Sequence, residues 1–307
     1  MTKILYYLFI IPLSYLPLKI LYIISDFLYL LITYIIPYRK KIVEKNIDNS
    51  FPEKSAKEKK IIKLQFYRHL TDLLAEGIKS INISKNEINN RVKITNPELM
   101  DELYKKKKDV ILVSGHYNNW EWIVKGLNLF FKHKAIGIGM PLSSKFWDKK
   151  MNESRSKFSM TVVNSMNYKN ELLNSSKNEI KSILLLGDQS PSDSNKSYWM
   201  TFLNQDTPVL FGTEMIAHDL NYSVVFLSVK KIKRGYYSIN LNLITHEPHK
   251  LNWGEITEAH TKLLEKEIIS KPQYWLWSHK RWKREIPKDL NKLKIKQKEK
   301  FNSRFYK

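Results

Sequence analysis

His116 and Glu121, an imidazole with a carboxylate five residues on, are the pair in this chain best suited to proton transfer. An imidazole titrates near neutrality and can take a proton from a weakly acidic hydroxyl. A carboxylate beside it fixes the ring tautomer and stabilises the imidazolium. Spacing alone selects nothing: with 30 acidic residues among 307 and eight histidines, about one such match is expected by chance, and the chain has two. The second pair, His260 and Glu265, lies in EITEAHTKLLEKEI, which reads as one unbroken helix. Five helical residues turn by about 500°, leaving those side chains about 140° apart and unable to meet. At His116 a turn over residues 117–119 interrupts the chain, so the carboxylate can fold back on the ring. His116 and Glu121 are therefore the expected catalytic residues, and His260 is a decoy.

The elements that must position them are set by the surrounding pattern. In DVILVSGHYNNWEW, Val110, Ile111, Leu112 and Val113 form a continuous apolar run rich in β-branched residues, which reads as a strand buried on both faces of a parallel sheet. His116 then stands at the strand's carboxyl end, where open α/β sheets place ligands and chemistry. Asn118 and Asn119 are good helix caps, and Glu121 falls in the first turn of a helix running to about Phe131. Residues 182–186 form a second buried run, and Gly187, Asp188 and Gln189 again sit at a strand end. A polar loop at 190–197 reads as a lid. Further strands are expected at 135–140 and 223–229. Residues 236–245 alternate apolar and polar, the signature of a half-exposed antiparallel edge strand after a turn at Arg234 and Gly235. Ser55 caps a long amphipathic helix whose His69 and Glu76 read as surface or satisfied polar groups. Residues 141–158 contain a helix capped by Ser143 or Ser144. The fold class is α/β: a mostly parallel central sheet with an antiparallel edge and helices on both faces.

GHYNNWEW resembles the histidine box of the lipid A late acyltransferases, the lauroyl and myristoyl transferases of bacterial outer-membrane lipid synthesis. Three more blocks match in order: YRKKIVEKNIDNSFPEKS at 38–55, LLLGDQSP at 184–191 and PQYWLWSHKRWK at 272–283. The resemblance implies a fold like that of the phospholipid and glycerol acyltransferases. It also implies transfer of an acyl chain from an acyl-carrier-protein thioester to a hydroxyl of a lipid A precursor, with no cofactor. His116 would take the hydroxyl proton, and backbone N–H groups at the start of the box helix could hold the oxyanion. Asn119, Arg155, Asp188 and Gln189 are the expected substrate-binding residues. Met140 stands where the family commonly has a basic residue, which makes Arg155 the substitute headgroup contact. A different membrane lipid as acceptor, or an idle membrane-attached binding protein, are the rival readings.

Composition sets the remaining bounds. There are no cysteines, which excludes disulfides, thiolate zinc sites and cysteine nucleophiles, and the scattered histidines imply no metal. Lys and Arg exceed Asp and Glu by 22 charges, a field suited to acidic partners. No nucleic-acid-binding signature accompanies it, so the expected partners are an anionic membrane surface and an acidic carrier protein. The aromatics and cations of 272–283 suit a membrane interface, with core packing of the rings as the alternative. Residues 1–37 read as an N-terminal membrane anchor without a cleavage site, followed by Arg39, Lys40 and Lys41. The positive-inside rule then puts the catalytic domain, 38–283, on the cytoplasmic side of the inner membrane. The 17 residues 20–36 would extend only about 26 Å as a helix, marginal for a ~30 Å hydrocarbon core. Pro12 and Pro17 interrupt the part before them, so a bent or partly interfacial anchor stands beside a clean span, with a buried core helix as the alternative. A basic tail, 284–307, is expected to be disordered or to lie on anionic lipid.

Overall fold

The computed structural model describes residues 2–306 apart from 167, 169–170 and 173–178. Strand β2 (Val110–Ser114) is buried at every position. Val110 and Leu112 enter one hydrophobic cluster while Ile111 and Val113 enter the other. A strand packed on both faces has no polar side to advertise, which is why its sequence is a continuous apolar run rather than an alternating one.

The central sheet also contains β1 (Val92–Ile94), β3 (Lys134–Gly139), β4 (Thr161–Asn164), β5 (Lys181–Leu186), β8 (Ser223–Lys233) and β9 (Tyr236–Thr245), in the order β1-β9-β8-β2-β5-β3-β4. All pairings are parallel except that of β8 with β9. β9 alternates in burial as its period-two pattern predicts, but it is not the edge: β1 pairs along it, Val92 opposite Tyr237. Three residues are too few to carry a readable period, so β1 leaves no signature in the sequence. A separate antiparallel hairpin, β6 (Tyr198–Phe202) and β7 (Gln205–Val209), turns through Leu203 and Asn204 at φ 50° and 62°. Two residues at positive φ give the turn that matches the twist of a hairpin.

On one side of the sheet lies α8 (Trp120–Phe130), whose Trp122, Ile123 and Leu127 are buried against Val110 and Leu112. On the other lie α10 (Gly212–Leu220) and α11 (Glu255–Ser270), contributing Ile216, Ile256, Leu264 and Ile268. The long helix α5 (Ala56–Ser80) opens with a reciprocal capping box between Ser55 and Glu58. Its His69 and Glu76 are not surface groups; both are buried. The N-terminal helices α1 (Thr2–Leu5), α2 (Ile11–Tyr15) and α3 (Leu18–Leu30) are joined by π-helical turns or a proline break. Leu18 and Leu21 of α3 belong to the same core cluster as Trp122.

The C-terminal tail, expected to be disordered or to lie on anionic lipid, is ordered here. It forms a helix, α12 (Leu290–Phe305), started by Asp289, whose carboxylate accepts from Lys292 N–H. Phe301 is buried against Phe211 and His218, with ring centroids at 5.9 and 4.8 Å. The 190–197 loop, expected to be a lid, is strapped by this tail: Arg284 donates to Pro191 O, and Gln297 donates to the Asn195 and Ser197 carbonyls.

Candidate active site

The register of β2 on β5 builds the site. Ser114 lies opposite Leu186, so two residues beyond each strand His116 and Asp188 arrive side by side. Their backbones close on each other because Gly187 N–H donates to Ser114 O at 3.0 Å. Gly115 permits the approach: a Cβ there would lie 2.7 Å from a Leu264 methyl and 3.2 Å from the Asp188 carboxyl carbon.

Asp188 accepts three hydrogen bonds. They come from His116 Nδ1 (2.7 Å), His116 N–H (2.8 Å) and Trp275 Nε1 (2.8 Å). Burial pushes this carboxyl up, but the His116 charge and the three hydrogen bonds outweigh burial and hold it at about 2. An ionised Asp188 requires Nδ1 to carry the proton, which leaves Nε2 as the ring's acceptor. Nε2 meets the Gln189 side-chain amide at 3.1 Å, and the ring lies edge-on to Trp120 with centroids at 5.0 Å. The His116 side chain remains 16% exposed, enough to open one edge to a substrate.

Glu121, expected to orient His116, is elsewhere. Its carboxylate is forked by Arg155, Nη2 to Oε1 at 2.6 Å and Nε to Oε2 at 3.1 Å, and also accepts from Trp120 Nε1. Residue 118 takes φ 55° and α8 starts at Trp120, so the first helical turn carries Glu121 toward α9 (Lys145–Arg155). The place at Nδ1 is already filled by Asp188. The structure thus brings together His116, Asp188 and Gln189, and separately Glu121 and Arg155. Arg155 Nη1 has no partner among the described residues.

Asn119 is a cap: its Oδ1 accepts from Trp122 N–H at 2.9 Å, and its Nδ2 donates to Glu76. Asn118 N–H is spent on Tyr274 O, so two of the backbone donors near the start of α8 are already engaged. Glu76 also accepts from Tyr22 and Tyr237, and burial holds its carboxyl above the usual range despite these bonds. The decoy behaves as helix geometry requires. His260 is buried beside Thr261, while Glu265 accepts from Leu203 N–H. Among the described residues no group of three or more His, Asp or Glu side chains could hold a metal ion.

Four supporting residues escape a reading of spacing and strand ends. Trp275 bonds Asp188, and its segment runs against the box, with Leu276 N–H donating to His116 O. His279 Nε2 accepts from Ser190 N–H at 3.1 Å, and burial lowers its pKa to about 4, keeping it neutral for that role. Asn46, on α4 (Lys40–Ser50), donates to the Trp277 and His279 carbonyls and so ties the 38–55 block to the 272–283 block. Arg281 is buried and bonds Thr207 and Pro208 O. Of the aromatics in 272–283, Trp275 and Trp277 are core residues rather than membrane-facing ones. A tryptophan N–H needs a partner when buried, and that was the available signal.

A carboxylate-backed imidazole at the end of a central parallel strand of an α/β sheet is an arrangement that can move a proton. Comparison with known families specifies the reaction: the model for bacterial lipid A biosynthesis acyltransferases matches residues 1–284, and the chain belongs to that family. It is therefore an acyltransferase of the lipid A type, as the four sequence blocks implied. The match ends just before α12, which lies outside it. No curated protein matches the chain significantly.

Proposed function

We propose that this enzyme moves a fatty acyl chain from an acyl-carrier-protein thioester to a hydroxyl of a lipid A precursor or related membrane lipid. It would work on the cytoplasmic face of the inner membrane, with a fold of the phospholipid-acyltransferase kind. The observation that carries the reading is the 2.7 Å contact between His116 Nδ1 and the ionised Asp188. It leaves Nε2, which now meets the Gln189 amide, as the ring nitrogen that can take a proton.

The acceptor hydroxyl takes the place beside Nε2 that Gln189 now fills. As its oxygen attacks the thioester carbonyl carbon, its proton passes to Nε2 and Asp188 stabilises the imidazolium. The Gln189 amide, displaced by one hydrogen-bond length, donates to the oxyanion. Collapse breaks the C–S bond, and the imidazolium returns its proton to the leaving thiolate. No enzyme nucleophile is needed, because the acceptor attacks directly. Arg155, forked by Glu121 with Nη1 unspent, binds an anionic group of the lipid; Glu121 acts by holding it, a positioning role in place of the catalytic one first expected. The charge excess of 22 supports an acidic carrier as donor.

Mass spectrometry of lipids from cells lacking and overproducing the protein tests the reaction. One additional ester-linked acyl chain on a lipid A species should appear with the enzyme and vanish with His116→Ala. Acyl gain confined to other lipids would replace the acceptor, and no change in any lipid would remove the reading.

A further inference from the structure

The N-terminal segment contains one helix long and apolar enough to cross a membrane, residues 18–35, with mean hydropathy 1.8. Composition treats its faces alike, but the structure does not. Leu18, Leu21, Tyr22, Ser25 and Tyr29 turn inward, and the inward face is where the polar groups lie. Tyr22 donates to Glu76 at 2.7 Å, and Ser25 to Asp72 at 3.2 Å. Asp26 pairs with Arg234 and with Arg68, and Arg234 stacks on Tyr22 at 4.1 Å. Asp72 and Glu76 are themselves buried. Upstream, Lys79 reaches Leu16 O and Asn82 reaches Ser14. Downstream, Tyr67 donates to Tyr38 O. From Ser14 to Tyr38 the segment is fastened to α5, the turn that follows it and Arg234.

A helix that crossed the bilayer would have to leave this bed. It would strip partners from two buried carboxylates and carry Asp26 into hydrocarbon, where a charged side chain is costly. Left in place, it shows solvent a mostly apolar side: Phe27 is 72% and Ile35 71% exposed, and Leu8, Phe9, Ile23 and Tyr34 are exposed with them. The flanks are cationic. Residues 1–43 hold Lys3, Lys19, Arg39, Lys40 and Lys41 against a single acid, Asp26, which is already paired. An apolar helix face bordered by cations complements an anionic lipid leaflet, with the helix axis in the plane of the interface. The surface also leads toward the site. Tyr6 packs on Phe146 and Trp147 of α9, the helix that presents Arg155, and Met140 and Leu142 are exposed just before it.

We infer that α1 to α3 are a monotopic platform that seats the enzyme on one anionic leaflet, with no part of the chain reaching the other side. Substrate lipid would then enter laterally past α9, a consequence that rests on the proposed function; the seating itself does not.

The chain has no cysteine, so single-cysteine variants report cleanly. Lys3→Cys and Lys283→Cys, in intact spheroplasts and in everted inner-membrane vesicles, should react with a membrane-impermeant maleimide from the same side. Reaction of Lys3→Cys from the opposite side overturns the inference. A fluorophore at Ile23→Cys, Phe27→Cys or Tyr34→Cys should be quenched best by lipids spin-labelled near the headgroup at all three positions. Deepest quenching at Phe27→Cys alone would mean a span. Vesicles of phosphatidylglycerol should bind the protein at least tenfold better than phosphatidylcholine vesicles. Absence of binding to either would mean that a protein partner, not lipid, covers this face. The His116→Ala protein should give the same labelling and quenching, so failure of the chemistry and failure of the seating are separable.

Discussion

Replacing Asp188 with asparagine changes one charge and almost no volume, and its effect is decided by the hydrogen bonds. Three donors converge on the carboxylate: His116 Nδ1, His116 N–H and Trp275 Nε1. Asparagine offers one oxygen and one NH₂. With the oxygen toward Nδ1, the NH₂ opposes two N–H groups, each clash costing about 1–3 kcal/mol as an unmade bond. With the oxygen toward the backbone and Trp275, two bonds survive and the NH₂ faces Nδ1. The second arrangement wins. It moves the ring proton to Nε2 and so removes the base. Losing the tautomer and the imidazolium's counter-charge together should lower kcat by about 10³–10⁴-fold, or ~4–5.5 kcal/mol at about 1.36 kcal/mol per factor of ten. The assay is acyl transfer at saturating donor in neutral detergent, alongside a thermal melt to show that the fold persists. A loss smaller than about tenfold with an intact fold would refute the assignment of Asp188 as the group that sets the tautomer.

Glu121→Gln should weaken the fork on Arg155, raising KM for the lipid acceptor more than it lowers kcat. Loss of kcat as deep as that of Asp188→Asn would return Glu121 to the proton-transfer path. Asp188 titrates at about 2 in the fold against an ordinary 3.8, so its contribution to stability is full above 3.8 and disappears as pH falls through 2. The stability difference between wild type and Asp188→Asn, from denaturant titrations, should therefore narrow across that window; a constant difference would mean that the carboxylate is not held ionised. With the carrier-protein donor, kcat/KM should fall steeply as salt rises, while the single-turnover rate of bound substrate stays level. Comparable turnover with acyl-coenzyme A, or a flat salt response, would assign the basic charge to the membrane alone.

Local features are legible in the chain. The run Val110–Ser114 announces a doubly buried strand, and its end announces His116. Rejection of His260 needs only the geometry of one helix. Asp188 is recognisable as a strand-end residue, but its partner is not, because the His116–Asp188 contact depends on the register of β2 against β5. Register between strands 70 residues apart leaves no mark in spacing, whereas the five residues from His116 to Glu121 leave a visible and misleading one. Asp109 shows the same dependence, since its carboxylate accepts from Lys181 N–H at the far end of the same two strands. The β6–β7 hairpin is hidden by Pro208 and polar positions. Helix α12 is hidden by lysines at every second residue from Lys292 to Lys300, which mask the few apolar residues that dock it.

The proposed mechanism turns on His116 taking the proton of the attacking hydroxyl. The decisive experiment is the single-turnover rate of purified His116→Ala with a radiolabelled acyl-carrier thioester and lipid A precursor, run beside His260→Ala. A base at His116 requires a loss of at least about 10²-fold for His116→Ala with unchanged membrane binding, and a near wild-type rate for the folded fraction of His260→Ala. A His116→Ala enzyme that keeps more than about a tenth of the wild-type rate would contradict it.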